Sequence, residues 1–454
     1  MQIIQAGEFD RYWNSLQRNG EDRELLAQVR DIIEAVRREG DAALRRYAAQ
    51  FDRSSPETLE VPPAEAEAAW RELTDADPEL AAALELAADH IRSFAELQKA
   101  QFTDFEYQIA PGVFTGQRVI PVERAAVYAP GGRFPLISTA LMGLIPAMTA
   151  GVEETALASP PGEDGLPHRR ILAAAHLAGR GGRPPRIFAA GGAQAVAALA
   201  LGTASIPRCD VIAGPGNKYV AAAKRLLYGE AGIDFVAGPT DVLVITGGNS
   251  LTERAAGLAS ANLASANFAA ANLTAADLLA QAEHDPDACA RALVPDTLSA
   301  ERILEALEDQ RKRLPDGKTA SASLERGGII IVYQTREEAI RIANAIAPEH
   351  LELHTGDAGD WVPALRNYGS LFIGSAAAEV LGDYTAGINH TLPTSGSARF
   401  TGGLSVRHFL KTATTLRCTA GEGYDAALAA AEAIARAEGL AGHAASAASR
   451  RRRP

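Results

Sequence analysis

The segment Gln281-Ala-Glu-His284-Asp-Pro places an amide and an imidazole three residues apart. On an α-helix, side chains at this spacing project from the same face, so both groups can bind one metal ion. A solvated helix end gives the same pattern. Taken alone, the pair leaves both interpretations open.

A second candidate is the adjacent pair Glu349-His350, which follows Ala347-Pro348 at the predicted start of a strand. Histidine is the usual general base near neutral pH, and a carboxylate can activate water. Neighbouring residues of an extended segment face opposite sides, so the pair can serve two different steps. The non-catalytic alternative is a capped turn with a solvated glutamate and a hydrogen-bonded core histidine.

Two further segments carry metal-binding residue types. Leu381-Gly-Asp383-Tyr384 and Asn389-His390 lie in one glycine-punctuated loop. Their oxygen and nitrogen donors suit Zn²⁺ or a similar divalent ion. Glu438 and His443 lie near the end of the chain among alanines and glycines, where a lone histidine is typically solvated.

Three glycine loops, Pro130-Gly-Gly, Gly191-Gly-Ala-Gln194 and Gly214-Pro-Gly-Asn217, each follow an apolar run. The last two are followed by an Ala/Leu-rich helix. Free N–H groups and the positive end of a helix attract anions at such loops, so phosphate binding is plausible. The chain has neither a Gly-x-Gly-x-x-Gly fingerprint nor a Gly-Lys-Ser/Thr loop, so the standard dinucleotide and P-loop motifs are not supported.

The elements that must position these residues are of two kinds. The first 120 or so residues show apolar positions at spacings of three and four, which predicts helices. From Arg118 onward, short β-branched runs alternate with helical segments, which predicts an α/β fold with a doubly wound parallel sheet. Later elements are a strand over Gly328 to Tyr333, a Thr335-capped helix from Arg336 to Ala347, and a strand over Ser370 to Ile373. A tail helix from Tyr424 to Ala437 follows.

One segment departs from these patterns, because Ala-Gly/Asn/Asp-Leu/Phe recurs every five residues from Ala256 to Leu278. Five residues advance an α-helix by about 140° net, so these Leu and Phe positions form no apolar stripe. We interpret about 256–275 as a partly helical surface insertion; the alternative is a short coil of the pentapeptide-repeat kind. Thr274-Ala-Ala-Asp277 is predicted to open the following helix as a capping box.

The composition excludes several classes of protein. The 454 residues carry a net charge of −12, with 47% apolar and 22% charged residues, which argues against a disordered or nucleic-acid-binding chain. Three separated cysteines fit a reducing compartment and rule out a disulfide framework. The N-terminus does not resemble a secretory signal, and the apolar stretch from Leu136 to Val152 is too broken to span a membrane. We therefore expect a cytoplasmic protein with no nucleic-acid or membrane partner.

Taken together and in this order, the motifs resemble the histidinol dehydrogenase family. The likeness rests on the three glycine loops, Gln281-Ala-Glu-His-Asp-Pro-Asp287, Ala347-Pro-Glu-His-Leu-Glu-Leu353 and Leu381-Gly-Asp-Tyr384 with Gly387-Ile-Asn-His390. It extends from about Glu24 to His443. The resemblance implies an NAD-dependent, zinc-containing enzyme that oxidises L-histidinol through an aldehyde to L-histidine, the last steps of histidine biosynthesis.

The resemblance also assigns roles to residues by matching motif position. Glu349 and His350 are the implied catalytic residues, with His350 as the base that takes the alcohol proton and Glu349 activating water for the second oxidation. The implied zinc ligands are Gln281, His284, Asp383 and His443. The implied substrate contacts are Thr240, His350 and Glu438 beside the metal ligands, and the implied NAD contacts are Tyr128, Gln194 and Asn217.

The implied architecture is α/β, with two Rossmann-like, incomplete, doubly wound parallel-sheet domains and helical N- and C-terminal appendages. The expected divisions are an appendage over 1–21, a metal-binding and catalytic domain over 22–126 plus 240–390, an NAD-binding domain over 127–239, and a dimer-swapped segment over 391–454. The family forms a homodimer with shared active sites. Glu438 and His443 are therefore expected to act on the partner's site.

One departure from the family leaves the substrate open. The usual Gly-Pro-Ser-Glu is here Gly238-Pro-Thr240-Asp241, whose extra methyl group and shorter acid change the expected pocket. An alternative is therefore a related zinc- and NAD-dependent enzyme for another polar alcohol, such as a sulfonated diol. A metal-binding scaffold without catalysis is a further alternative, against which the intact Glu349-His350 pair argues.

Overall fold

A computed structural model describes residues 1–16, 22–52, 54–131, 135–247, 260–315 and 317–451. The strands, numbered along the chain, are β1 (Gln2–Gln5), β2 (Glu60–Val61), β3 (Phe105–Ala110), β4 (Val113–Pro121), β5 (Arg124–Tyr128), β6 (Glu154–Ser159), β7 (Arg186–Ala189), β8 (Val211–Ala213), β9 (Gly232–Ile233), β10 (Asp241–Thr246), β11 (Cys289–Val294), β12 (Ile329–Val332), β13 (His350–His354), β14 (Ser370–Ile373) and β15 (Leu410–Cys418). The α-helices are α1 (Phe9–Leu16), α2 (Arg23–Glu39), α3 (Asp41–Phe51), α4 (Pro63–Ala76), α5 (Pro78–Lys99), α6 (Ile137–Ala150), α7 (Arg169–Ala178), α8 (Gly192–Leu201), α9 (Lys218–Leu227), α10 (Ser260–Ala282), α11 (Thr297–Arg311), α12 (Lys318–Arg326), α13 (Arg336–Ile346), α14 (Ala358–Trp361), α15 (Glu379–Tyr384), α16 (Glu422–Ala437) and α17 (Ala441–Arg450).

Two six-stranded sheets organise these elements, as the predicted α/β class requires. One sheet has the order β1-β12-β11-β10-β13-β14 and is parallel throughout. The other has the order β2-β7-β6-β5-β8-β9 and is parallel except for β2. We call them the β10 sheet and the β5 sheet. In each sheet, the two strands that follow β10 or β5 are added on one side of it, and the next two strands are added on its other side.

A third sheet was not predicted. Strands β15, β4 and β3 form an antiparallel sheet in which β15 pairs with β4 from Leu410↔Pro121 to Cys418↔Val113. The C-terminal segment, which was predicted to be helical, therefore also contains a long strand. The helices α16 and α17 follow it, and the first contains the predicted range from Tyr424 to Ala437.

The N-terminal residues pack differently from the prediction. Residues 1–21 were expected to be a helical appendage, but Gln2–Gln5 is the edge strand of the β10 sheet. Residues 22–126 were expected to join residues 240–390, whereas α2 and α3 share a core with the β5 sheet and α4 and α5 cover its other face. The apolar spacing of these helices predicts a buried face, and it does not specify which of two apolar sheets that face meets.

The five-residue repeats are helical wherever the structure describes them, since Ser260–Ala282 is one continuous helix. The earlier repeats, at 256–259, lie outside the described residues. The pentapeptide-coil alternative is therefore wrong for 260–275, and Thr274 lies inside the helix instead of opening it. The repeat positions Phe268 and Leu273 are exposed whereas Leu278 is buried, which follows from their rotation around the helix axis.

Both sheets are covered on both faces, as parallel sheets usually are. Alternate residues of β10 belong to two different cores. Leu243 and Ile245 pack with α13, and Val242 and Val244 pack with α10. The apolar helix α6 is almost wholly buried against the β5 sheet, and among the described residues no helix is both long and apolar enough to cross a bilayer.

Candidate active site and metal centre

One face of β13 is polar where its neighbour β10 is apolar. Leu351 and Leu353 point into the core beneath α13. The alternate residues, His350, Glu352 and His354, are therefore on the α10 side, and all three are buried. Their register partners in β10 include Val242 and Val244, which are apolar. We call His350, Glu352 and His354 the β13 row.

Helix α10 carries a matching row opposite β13. Thr274, Asp277 and Gln281 follow one another at spacings of three and four, so they share one face of the helix. Thr274 and Gln281 are buried and Asp277 is partly buried. We call these residues the α10 row. Its contacts with β13 give the interface between sheet and helix a polar strip inside an otherwise apolar core.

Three predicted metal ligands lie at the carboxyl-terminal end of the α10 row. Ligand atoms of His284, Glu379 and Asp383 all lie within 4.8 Å of one another. Gln281 reaches the same place, because its amide nitrogen is 2.5 Å from Glu379 Oε1 when that nitrogen faces the carboxylate. In the opposite orientation the nitrogen donates to Thr240 Oγ1 at 2.5 Å, and the amide oxygen then faces the carboxylate.

Glu379 was missed by the sequence reasoning. It is buried at the start of α15, four residues before Asp383 on the same helix. Side chains at this spacing share a helix face, so Glu379-x-x-x-Asp383 was the available signal. The sequence gives no direct indication of burial, which is what separates this glutamate from an ordinary solvated one.

Glu349 and His350 are both buried beside this cluster. His350 Nδ1 lies 3.6 Å from Glu379 Oε1, and its Nε2 lies 3.5 Å from Asp383 Oδ1. Glu349 Oε2 accepts hydrogen bonds from the Thr240 hydroxyl and from the Asp241 N–H, the latter at 3.1 Å. The structure therefore brings Thr240, Glu349 and His350 together with three of the four predicted metal ligands.

The backbone at Glu349 is fixed by a buried ion pair. Asp241 Oδ1 accepts the Glu349 N–H at 3.1 Å, and Asp241 Oδ2 pairs with Arg291 at 2.6 Å. Arg291 and Asp241 are both buried. The acid that follows Thr240 thus holds the backbone at Glu349 in place.

Burial and charge shift the ionisation of these groups. Burial raises the pKa of Glu349 to about 7, although the charge of His350 and the hydrogen bond from Thr240 oppose the shift. For His350, burial opposes the charged form, but the surrounding carboxylates outweigh burial and raise its pKa well above the usual value. Those carboxylates belong to Glu379, Glu349 and Asp383.

The donor set fits a metal ion. Glu379 Oε2 and both ring nitrogens of His350 are buried without a hydrogen-bond partner. Such groups are costly to bury unless an ion or another ligand satisfies them. Carboxylate oxygen, amide oxygen and imidazole nitrogen are donors that zinc accepts.

The remaining predicted ligand and substrate contact lie elsewhere in the chain. His443 is an exposed residue of α17, and Glu438 is exposed just after α16. Among the described residues, His443 is not part of the His284–Glu379–Asp383 group.

The three predicted NAD residues lie where strands of the β5 sheet end. Tyr128 is the last residue of β5, and its hydroxyl accepts the N–H of Gly192 at 3.1 Å. Gln194 is buried in the first turn of α8, with its amide nitrogen 3.5 Å from Asp52 Oδ2. Asn217 caps α9 by accepting the N–H groups of Tyr219 and Val220.

A second buried ion pair holds the glycine loop at this edge. Asp234 pairs with Lys224, and the Asp234 carboxylate accepts the Gly214 N–H at 2.8 Å. Lys224 donates to the Gly214 carbonyl at 2.9 Å. Gly214 has a φ of +111°, and a Cβ there would come within 2.3 Å of the Tyr128 carbonyl, so glycine is required.

A parallel α/β fold with a buried imidazole–carboxylate cluster on one sheet and anion-attracting loops on the other is typical of metal-binding α/β enzymes. The comparisons with known proteins identify the family. The chain belongs to the histidinol dehydrogenase family, because the family model described as Histidinol dehydrogenase matches residues 16–451.

Individual relatives agree with the family model. The chain is 45% identical over 418 residues to "Histidinol dehydrogenase" of Thermus thermophilus, covering 92% of each chain. It is 40% identical over 422 residues to the protein of that name from Prochlorococcus marinus, covering 93% of this chain and 89% of the relative. A crystal structure of histidinol dehydrogenase from Elizabethkingia anophelis matches with a TM-score of 0.88 and 34% identity, covering 99% and 98% of the two chains.

Proposed function

We propose that this chain oxidises L-histidinol through L-histidinaldehyde to L-histidine with NAD, the last steps of histidine biosynthesis. Family membership supports the NAD-dependent oxidoreductase class and the substrate. The single observation that carries the catalytic assignment is the buried Glu349–His350 pair beside Gln281, His284 and Asp383. The family relatives favour histidinol over the sulfonated-diol alternative.

The proposed metal is one Zn²⁺ per subunit, held by Gln281, His284, Asp383 and His443 of the partner subunit. When bound, zinc supplies a Lewis-acid centre that orients the amine and imidazole of the substrate. Thr240 and the partner subunit's Glu438 are the proposed additional substrate contacts. A carboxylate suits a substrate rich in donors and positive charge.

His350 is the proposed general base for removal of the alcohol proton. Hydride leaves a carbinol carbon readily only when the hydroxyl proton is removed. Nearby carboxylates stabilise the imidazolium that forms when His350 takes this proton. The nearest are Glu379 and Asp383.

Glu349 is the proposed base for the second oxidation. A carboxylate with a pKa of about 7 accepts a proton from water near neutral pH more readily than an ordinary glutamate does. Attack of that water on the aldehyde gives the hydrate, which loses the second hydride and becomes the carboxylate. Over both steps one histidinol, one water and two NAD⁺ give one histidine, two NADH and three protons.

Tyr128, Gln194 and Asn217 are the proposed NAD contacts. The first turn of α8 presents N–H groups beside Gln194, and such groups attract the pyrophosphate of a dinucleotide. NAD accepts the hydride in each oxidation. The Lys224–Asp234 pair positions the Gly214 loop next to Tyr128.

A homodimer with shared sites is proposed to complete the metal centre. The support is a set of exposed apolar side chains on the antiparallel sheet, namely Phe105, Tyr107, Ile109 and Leu416, together with the exposed Ile434 and Leu440 close in sequence to Glu438. Exposed apolar patches of this kind typically mark subunit contacts. The proposed location is the cytoplasm, which fits the unpaired state of all three cysteines.

The test of the function is a count of NADH formed per histidinol. The zinc-loaded enzyme should form two NADH per histidinol and should reduce no NAD with a sulfonated diol. Glu349→Gln should slow the second oxidation selectively, so that the early ratio falls toward one. Absence of histidinol-dependent NADH formation by the zinc-loaded protein would contradict the proposal.

The shared site is tested by mixing two inactive variants, His350→Asn and His443→Asn, after dissociation and reassociation. Random pairing gives half heterodimers, each with one intact site, so about a quarter of wild-type activity should return. His176→Asn, on the surface-facing side of α7, is the matched control and should stay fully active alone. No recovery of activity on mixing would show that His443 does not act across a subunit interface.

A further inference from the structure

A second cluster of potential ligands lies further along the interface between α10 and β13. It consists of Asp277, Glu352 and His354, whose ligand atoms all lie within 4.8 Å of one another. It shares no ligand side chain with the His284–Glu379–Asp383 group. Asp277 belongs to the α10 row and Glu352 and His354 to the β13 row, whereas the neighbouring row members Gln281 and His350 lie beside the first group.

The distances within the second cluster match those between ligands of a tetrahedral ion. His354 Nε2 lies 3.1 Å from Glu352 Oε2 and 3.6 Å from Asp277 Oδ2. Bonds of roughly 2.0–2.1 Å at tetrahedral angles separate neighbouring ligands by about 3.4 Å. The observed separations lie on either side of this value.

Two of the three side chains in the cluster have a buried polar atom without a hydrogen-bond partner. His354 Nε2 and Glu352 Oε2 are both buried without a hydrogen bond. Glu352 is completely buried and His354 is 8% exposed. The 3.1 Å contact between them is therefore not aligned as a hydrogen bond, which disfavours a shared proton. An ion between the three atoms needs no such alignment.

The other atoms of the two buried residues are already held. His354 Nδ1 is 3.2 Å from the hydroxyl of buried Thr274, which leaves Nε2 to face the carboxylates. Glu352 Oε1 accepts the N–H of Glu379 at 2.8 Å, which leaves Oε2 to face the imidazole. Ligands oriented by such outer contacts are typical of metal sites in proteins.

We propose that Asp277, Glu352 and His354 bind a second divalent cation of the zinc class, separate from the catalytic metal, with water completing its coordination. Mixed oxygen and nitrogen donors suit Zn²⁺ or Mn²⁺. Asp277 is partly exposed and provides the route of entry. The ion ties α10 to β13 and so stiffens the helix that carries Gln281.

Metal counting on the purified full chain tests the proposal. The protein is stripped with a chelator, saturated with Zn²⁺ and, separately, with Mn²⁺, and desalted before elemental analysis. The wild-type chain should retain two ions per chain with either metal, and His354→Gln should retain one. His176→Gln, a histidine outside both clusters, should retain two. One ion per wild-type chain, or an unchanged count in His354→Gln, overturns the proposal.

A second measurement isolates the proposed site. In His284→Gln, which weakens the catalytic metal centre, added Zn²⁺ should still raise the unfolding temperature, because an ion that binds only the folded state stabilises it. His284→Gln/His354→Gln should lose this shift. Equal shifts in the single and double variants overturn the proposal. The wild-type count needs no variant and no substrate, so its outcome is independent of histidinol oxidation.

Discussion

The proposed sites of the two six-stranded sheets lie at opposite ends of the strands. In the β5 sheet, Tyr128 ends β5 and the loop from Gly214 to Asn217 follows β8, so the proposed NAD residues lie at the carboxyl ends of strands. In the β10 sheet, Thr240 precedes β10 and Glu349 precedes β13, so the proposed catalytic and substrate-binding residues lie at the amino ends. Both sites lie where the chain reverses its direction across the sheet.

The difference follows from the helix ends that each edge presents. At the carboxyl ends of parallel strands the helices begin, and their free N–H groups attract an anion such as pyrophosphate. At the amino ends the helices finish, and their carbonyl groups favour cations. Helix α10 ends at Ala282, between Gln281 and His284, and α13 ends just before Glu349. A metal ion and a cationic substrate suit this edge.

The largest expected effect is a loss of turnover without a change in NAD affinity, caused by a substitution at the amino-end edge of the β10 sheet. His350→Asn should lower kcat by about a thousand-fold or more, because loss of a general base typically costs 10²–10⁴-fold. The substitution also removes the imidazole that Glu379 and Asp383 contact. Zinc content and affinity for NAD should stay near wild type, as measured by elemental analysis and NADH titration. Wild-type turnover in this variant would remove His350 from its assigned role.

Replacing the cation of each buried ion pair should raise the KM of a different substrate. Lys224→Met leaves Asp234 buried and unpaired, which should cost about 3–5 kcal/mol of unfolding free energy and raise KM for NAD. Arg291→Met leaves Asp241 unpaired at a similar cost and should raise KM for histidinol instead. Denaturant unfolding and steady-state kinetics measure both. If both variants changed the same KM, the separation between the two edges would be wrong.

A smaller effect is expected at the cap of α9. Asn217→Ala removes the acceptor for two N–H groups, which should cost about 1 kcal/mol of stability and raise KM for NAD. Asp296→Ala is the matched control, since Asp296 caps α11 by accepting the Ser299 N–H at 2.7 Å. It should lose similar stability with no change in KM for NAD. An equal change of KM in both variants would show a general effect of lost stability.

The smallest expected effect concerns Asp52, whose carboxylate lies beside Gln194. Burial raises its pKa from 3.8 to about 6 in the folded chain. The charged form is therefore penalised on folding, and the penalty appears as the pH rises above 3.8 and is complete above 6. Two pKa units correspond to about 3 kcal/mol, which solvent screening of this partly exposed group reduces to roughly 1 kcal/mol.

Asp52→Asn should accordingly raise the unfolding temperature at pH 8 and have a smaller effect at pH 5, as measured by calorimetry. Asp41→Asn is the control of opposite sign. Although burial opposes it, hydrogen bonds from Ser205 and Thr203 lower the pKa of Asp41, so this substitution should destabilise the chain at pH 8. A stabilisation by Asp52→Asn that does not depend on pH would exclude the carboxylate charge as its cause.

The sequence predicted individual elements better than their assembly. The strand over Ser370 to Ile373 and the Thr335 cap were confirmed, because short β-branched runs and capping residues act locally. The packing of α2 to α5 was predicted on the wrong sheet, since an apolar helix face does not identify its partner. β1 was missed because a four-residue strand gives almost no periodicity.

The same contrast holds for the site. Gln281, His284 and Asp383 were found through family motifs, and the structure brings them together. Glu379 and the second cluster were missed because their acidic residues differ from ordinary surface acids only in being buried. Burial depends on tertiary contacts, which local sequence patterns do not show. The assigned roles of Glu438 and His443 stay predictions, as do the three NAD contacts.

The α10 row begins at Thr274, whereas most of the five-residue repeats lie nearer the amino-terminal end of the helix and only the last, Ala276-Asp277-Leu278, overlaps the row. The position of the ligands is therefore set by packing at the carboxyl-terminal end of the helix. Gain or loss of one of the earlier repeats changes the length of a helix by about 7.5 Å on the amino-terminal side of the ligands and leaves the ligand orientation unchanged. A change in the number of these repeats is therefore expected to leave the group around His284 and Asp383 in place.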